Sequence, residues 1–288
     1  MKVTLVTDRE RVVLTDYPFK LAKDIDLSGL SADMNIIQNG SDGGTLLNSR
    51  YNSRDFEIEG MINVYGMTDK EIQNNRELLY RVVNPKNTIT IEIETDKETY
   101  FIYANAASFP VFNNDFDNSN KSFQRFLLQW ISADPFVYKQ NRIITFSNVT
   151  PKFSFPLTFG TGGIKMSEKN NSLIQSIYNA GMLEAPLEIT IKAFGEVINP
   201  SITNVYTQEM IQLNTTLATG DEVVINTGRK KEVSRWRNGV KENFYYSLDL
   251  NSDFILLHVG DNIFRFSATS GTQFMQVLMG FQERMGGI

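Results

Sequence analysis

The sequence predicts a mostly β chain with one main helix, divided into two domains. Three observations carry that prediction. Apolar and polar residues alternate at a period of two in both halves, which is the mark of half-buried strands. One stretch, Thr68 to Val83, has the broad apolar stripe of an amphipathic helix. The strongest strand signal, FQRFLLQWIS from Phe123, runs into Asp134-Pro135, and a proline that cannot donate to a ladder puts a boundary near residue 135. A compact α+β domain over residues 1–135 and a domain of short strands over 136–288 are therefore expected.

Within the first domain, Val3, Leu5, Val12 and Leu14 give two short strands around the charged turn Asp8 to Arg11. From Asp24 to Arg54 the periodicity weakens and turn formers collect: Asn39-Gly40, Asp42-Gly43-Gly44, Asn48-Ser49. At about thirty residues this is far longer than the usual connection of about 4 to 6. It reads either as a surface loop or as an arm that gains order on a neighbouring subunit. Phe56, Ile58, Gly60, Ile62 and Val64 then alternate with Glu57, Glu59, Met61 and Asn63, putting both glutamates on the open face of a strand. The helix follows, with Thr68 and Glu71 spaced as a capping box and Asn84-Pro85 as its stop. Ile89, Ile91 and Ile93, alternating with Thr90, Glu92 and Glu94, pair with Tyr100 to Ala104 as a hairpin. Asn113 to Lys121 is a polar loop. The strand from Phe123 carries apolar residues on both parities, which predicts cover on both faces.

The second domain opens with a connector, Phe136 to Tyr178, broken by prolines and glycines. Its FGTGGIKM lacks the GxxxxGK[ST] spacing of a phosphate loop and reads as a turn cluster. Strands are predicted at Leu187–Ala193, Met210–Leu213, Glu222–Asn226, Phe244–Leu248, Phe254–Val259, Ile263–Phe266 and Gln276–Phe281. Thr219-Gly220-Asp221, Asn238-Gly239 and Gly260-Asp261-Asn262 are the turns between some of them, Asn238-Gly239 as a type I′ hairpin. Many short strands with such turns predict a β-sandwich of jelly-roll type.

Composition narrows function mainly by exclusion. With 28 basic against 33 acidic groups and a net charge of −5, no bulk attraction to nucleic acid is expected. Cysteine is absent, which removes disulfides, thiolate chemistry and cysteine metal sites. No apolar run nears the roughly 18 to 20 residues of a membrane span, so no membrane insertion is expected. Charges from Asp8 precede any signal-like stretch, and synthesis in a cytoplasm is expected.

No catalytic constellation, metal site or cofactor is expected. The carboxylates of Glu57 and Glu59 stand side by side on one strand, whereas a hydrolase needs them facing across about 5 to 9.5 Å. His258, the single histidine, has no second histidine or cysteine to complete a zinc site and reads as structural. Trp130 reads as a packing residue before a stacking platform. Arg229, Lys230, Lys231, Arg235 and Arg237 surround Trp236, a basic and aromatic cluster suited to nucleic-acid stacking, glycan or partner contact; an exposed hairpin commonly looks the same.

The segments YNSRDFEIEGMI, LLYRVVNPK, FLLQWISADPFVY, NAGMLEAPLEITIKAFGEVINPSITN, GDEVVINT and FILLHVGDNIFRF, in that order, resemble the distal tail (Dit) proteins of siphophages within the phage tail component group. The resemblance implies a split-barrel-like, ring-forming N-terminal domain and a galectin-like jelly-roll β-sandwich. It implies a homo-hexameric hub ring at the virion tail tip, between the tail tube protein and the tail-tip or tail-associated proteins, with a receptor-binding protein as a further partner. DNA would pass through without specific binding, and the stretch 24–54 would be a belt-like arm. Glu57, Glu59, Glu92 and Glu94 are then candidates for an acidic channel lining, since like charge repels phosphates. A carbohydrate-binding adsorption module, with Trp236, Arg235 and Arg237 as its contacts, is the alternative.

Overall fold

The computed structural model describes residues 1–40, 42–63, 69–113, 115, 119, 123–146, 148–151, 167–170 and 174–288. Val64, the proposed cap Thr68, most of the Asn113–Lys121 loop and the FGTGGIKM turn cluster lie outside them. The chain forms two compact units. One comprises Met1–Gln140 with Arg284–Ile288, the other Asn141–Glu283. The first unit is thus discontinuous in sequence.

Its strands are β1 (Lys2–Val6), β2 (Arg11–Val13), β3 (Phe19–Leu21), β4 (Ala32–Gln38), β5 (Gly44–Tyr51), β6 (Arg54–Asn63), β7 (Thr88–Glu94), β8 (Thr99–Ala106), β9 (Phe123–Ser132) and β10 (Val137–Lys139), with helix α1 at Asp69–Val82. One antiparallel sheet runs in the order β2-β1-β7-β8-β9-β6-β3, and β10 bridges β8 to the terminal strand Arg284–Met285. The alternation seen in the sequence fixes its inner face: Val3, Leu5, Phe56, Ile58, Ile62, Ile89, Ile91, Ile93, Phe126 and Leu128 are buried in one core. Helix α1 adds Ile72, Leu79, Val82 and Val83 to that core. β9 ends at Ser132, just before Asp134-Pro135.

β9 departs from expectation on one point. Its even positions, Gln124 to Ser132, are buried, but Phe123 and Leu127 are only half-buried and Ile131 is 42% exposed. In the single chain the strand is covered fully on one face only. The apolar odd parity has no counterpart in the core because α1 packs on the inner side with the even residues.

Residues 24–54 are not a structureless loop. β4 and β5 pair as a hairpin, with a register shift at Asn35/Ile36, and every residue of the two strands except Ala32 is exposed. The turn formers sit at its tip. The period was hidden because neither face packs on a core, so no alternation was required.

In the second unit, one sheet runs Arg142–Phe146, Met275–Phe281, Ala185–Ala193, Glu222–Asn226, Glu232–Arg237, Val240–Asn243, with Leu256–Leu257 beside Ala185–Ala193. A second sheet runs Ile174–Asn179, Gly260–Ser267, Ser201–Asn204, Met210–Gln212. Both sheets feed one core, which includes Ile189, Ile191, Val223, Ile225, Ile202, Phe264, Phe266 and Met279. Asn238 and Gly239 both have positive φ, 51° and 78°, and join Glu232–Arg237 to Val240–Asn243 with Arg237 opposite Val240, as a type I′ turn requires.

Two strand expectations and one turn expectation here need correction. Phe244–Leu248 is a 3₁₀ turn, Tyr245–Ser247, capped by hydrogen bonds from Ser247 to the Phe244 carbonyl. Of Phe254–Val259 only Leu256–Leu257 pairs. Gly260-Asp261-Asn262 is not a connection but the start of the strand Gly260–Ser267, opposite Asn179 to Ile177.

Candidate functional site

The most conspicuous surface of the first unit is the hairpin β4–β5. Met34, Ile36, Ile37, Leu46, Leu47 and Tyr51 are each at least half exposed, and Ile36 lies directly opposite Leu46 in the register. Asp33 and Arg50 pair near the base, 3.5 Å apart and open to solvent. Between them lies a ribbon nearly devoid of charge. Scattered exposed apolar residues are ordinary, but six of them gathered on one two-stranded hairpin with little charge make a surface of the kind that marks interaction sites.

The root of this hairpin is built around Arg54, one of the most buried charges of the unit. Its guanidinium donates through Nε to the Pro135 carbonyl at 2.8 Å, through Nη1 to the Leu27 carbonyl, and through Nη2 to the Gly286 carbonyl at 2.6 Å. Burial pulls its pKa down and Asp26 counters this. Three segments distant in sequence are tied by one side chain. The neck above it is closed by the Asn52 amide donating to the Ser31 carbonyl at 3.0 Å.

The four acidic candidates all lie opposite the buried positions of their strands. Glu57 is exposed and accepts a hydrogen bond from Gln129 Nε2 at 2.9 Å. Glu59 is half-buried and pairs with Lys23 at 2.7 Å, which pushes the Lys23 pKa up. Glu92 pairs with Arg11. Glu94 is exposed and makes no ion pair among the described residues. The two pairs are on one sheet but apart: β8 and β9 separate β7 from β6.

Trp236, Arg235 and Arg237 do not form one patch. Strand alternation sends Arg235 and Arg237 to the side of buried Val233, and Trp236 to the other. Arg235 pairs with Glu242 and lies 4.2 Å over the Phe244 ring. Arg237 donates from Nε to Asp221 Oδ1 at 2.6 Å and from Nη2 to Oδ2. Trp236, 41% exposed, stands between Glu222 and Lys241 in the register. Trp236→Ala is expected to change stability by less than about 1 kcal/mol in chemical denaturation, as an exposed residue in a charged row should.

Asp221 reads in the sequence only as a turn residue. Its side chain is almost wholly buried, and it also accepts the Ala218 amide at 2.9 Å. Arg237, and then the amide, hold its carboxyl below the ordinary aspartate range. The folded pKa lies under the unfolded one, so the pair stabilises fully above about pH 4 and its contribution is lost as pH falls further. Asp221→Asn is expected to cost about 1.5–3 kcal/mol at pH 7 and to flatten the acid slope of stability below about pH 4, measured by urea unfolding across pH.

His258 has Nδ1 2.6 Å from Glu184 Oε1 and Nε2 3.5 Å from Glu209 Oε2. Its backbone exchanges two hydrogen bonds with the Asn262 side chain. Among the described residues no group of three or more His, Asp or Glu has the placement to hold a metal ion. Among them, too, no helix is long and apolar enough to cross a membrane.

A fold of this kind is found in solved phage tail hubs. The crystal structure of SPP1 Dit (gp 19.1), described as a paradigm of hub adsorption apparatus in Gram-positive infecting phages, matches with a TM-score of 0.68 and 16% identity over 98% of both chains. A chain of the phage P2 baseplate in its activated conformation with Ca matches at 0.56 and 12%, over 97% of both chains. The corresponding baseplate with Sr matches at 0.54 and 10%, again over 97% of both. No curated protein matches this chain. Residues 180–284 match the family described as Siphovirus-type tail component, C-terminal domain.

Proposed function

We propose that the chain is a structural subunit of a long non-contractile phage tail tip. Identical copies close into a hexameric hub ring that joins the tail tube protein to the tail-tip proteins and leaves a channel for DNA. The observation that carries this reading is the hairpin β4–β5: its exposed apolar side chains, uncovered among the described residues, fit a head-to-tail contact in which one copy's arm lies on the next. The likeness of the whole chain to hub and baseplate structures supports the same reading. Ring formation is assigned to the first unit. The second, with its galectin-like resemblance, is left to face tail-tip or receptor-binding partners.

Glu57 and Glu94, which make no ion pair among the described residues, are the residues we assign to the channel. Glu59 and Glu92 contribute less, because Lys23 and Arg11 offset them. Acidic walls let DNA slide without sticking.

The test is solution mass followed by electron microscopy of the full chain and of a variant in which residues 32–51 are replaced by a short Gly-Ser linker. The full chain is expected to give six-fold rings with a hole wide enough for duplex DNA, and the variant a folded monomer. Rings formed equally by the variant, or a full chain that stays monomeric with its tail partners present, would overturn the reading. Glycan-array binding lost on Trp236→Ala would instead favour the adsorption module.

A further inference from the structure

We infer that the segment Arg284–Ile288 is a buckle that fixes the arm: by closing on both roots of hairpin β4–β5 it sets how the arm leaves the first unit. The consequence for ring closure rests on the arm reading above; the buckle itself does not.

The arm has no core contact to orient it, since its strands are exposed along their length. Whatever direction it holds must come from its roots. On the incoming side, Leu27 is fully buried, and Gly29, with φ of 70°, turns the chain in the left-handed conformation that favours glycine. The terminal segment is pressed against this side. A Cβ on Gly287 would lie 2.7 Å from the Leu27 carbonyl oxygen and 3.4 Å from Ser28 Cα, so backbone meets backbone where only glycine fits. On the outgoing side, Arg54 reaches the Gly286 carbonyl while also holding Leu27. Tyr51, the last residue of β5, sets its ring edge-on to Phe136 at 5.5 Å, and the Arg284 guanidinium lies 4.9 Å over that same ring. The segment is itself anchored, with Met285 opposite Val137 and Arg284 opposite Tyr138 in an antiparallel ladder.

Both roots therefore converge on one five-residue segment, which is separated from them in sequence by the entire second unit. The arm cannot be seated until residues 141–283 have been made. A chain interrupted before residue 284 would present the same apolar ribbon without a fixed direction, and would be a poor ring subunit.

The experiment uses the full chain, into which a single cysteine can be placed because none is native. Ser49→Cys carries a nitroxide on the arm, at concentrations where the chain is monomeric. It is compared in three forms: intact, ending after Glu283, and Gly287→Ala. The two altered forms are expected to show a more mobile nitroxide and tryptic cleavage after Arg50 faster by roughly tenfold or more, while β6 and β9 amides stay protected. Unchanged mobility and cleavage in both would overturn the buckle. Should the truncated form lose protection of β6 and β9, the Gly287→Ala form decides alone. Because the readout is taken on monomers, its failure is distinct from failure of the ring reading, which the arm-replacement variant addresses.

Discussion

Trp130→Ala is expected to destabilise the first unit by about 3–5 kcal/mol, which for a single domain approaches the whole margin. Trp130 is 1% exposed, and stands across β9's ladders from Phe56 on one side and Ala106 on the other. The small Ala106 gives the indole its room. Truncation would leave a void bounded by paired strands that cannot collapse into it. Trp130→Phe separates volume from polarity. The indole Nε1 is buried without a hydrogen-bond partner among the described residues. The phenyl variant thus loses packing but sheds a desolvated donor, and its cost should fall well below that of alanine, to about 1–2 kcal/mol. Protection of the β6 and β9 amides in hydrogen exchange measures both.

Arg54→Ala should cost a comparable amount, about 3–5 kcal/mol. The side chain is a buried cation satisfied by three carbonyls, so its loss strands Pro135, Leu27 and Gly286 acceptors together with a cavity. Arg54→Lys should recover only part. A lysine brings three donors from one point and cannot span three carbonyls fanned around a planar guanidinium. The chain has two tryptophans, one per unit, so in a Trp236→Phe background Trp130 fluorescence follows unfolding of the first unit alone.

Strand parity made most of this fold legible. Where a strand has one buried face, the alternation named its inward residues, as in β6 and β7. Where burial did not impose a period, the sequence was silent. β4 and β5 touch no core, and Phe244–Leu248 is held by a 3₁₀ turn whose apolar residues mimic a strand. The site residues that were overlooked did carry a signal. Arg54 shares the parity of Phe56, Ile58 and Ile62, and Asp221 that of Val223 and Ile225. A charge in line with inward apolar residues should have been read as a buried charge with partners to be found. The same rule separates Arg235 and Arg237 from Trp236: adjacency in sequence made them look like one cluster, and alternation places them on opposite faces. The neutralising partners Lys23 and Arg11 depended on which strands became neighbours, and no local pattern encodes that.

Finally, the pairing of β10 with Arg284–Met285 makes the second unit an insert. The chain leaves the first unit beside the place where it returns, because Tyr138 faces Arg284 in the ladder and paired strands lie only about 5 Å apart. A hairpin loop of about 2–5 residues joining Lys139 to Arg284 would restore a continuous first unit with its terminal strand in place. The reverse operation is equally permitted by the geometry. Another folded module whose ends lie close together could replace residues 141–283 without disturbing a strand of the first sheet.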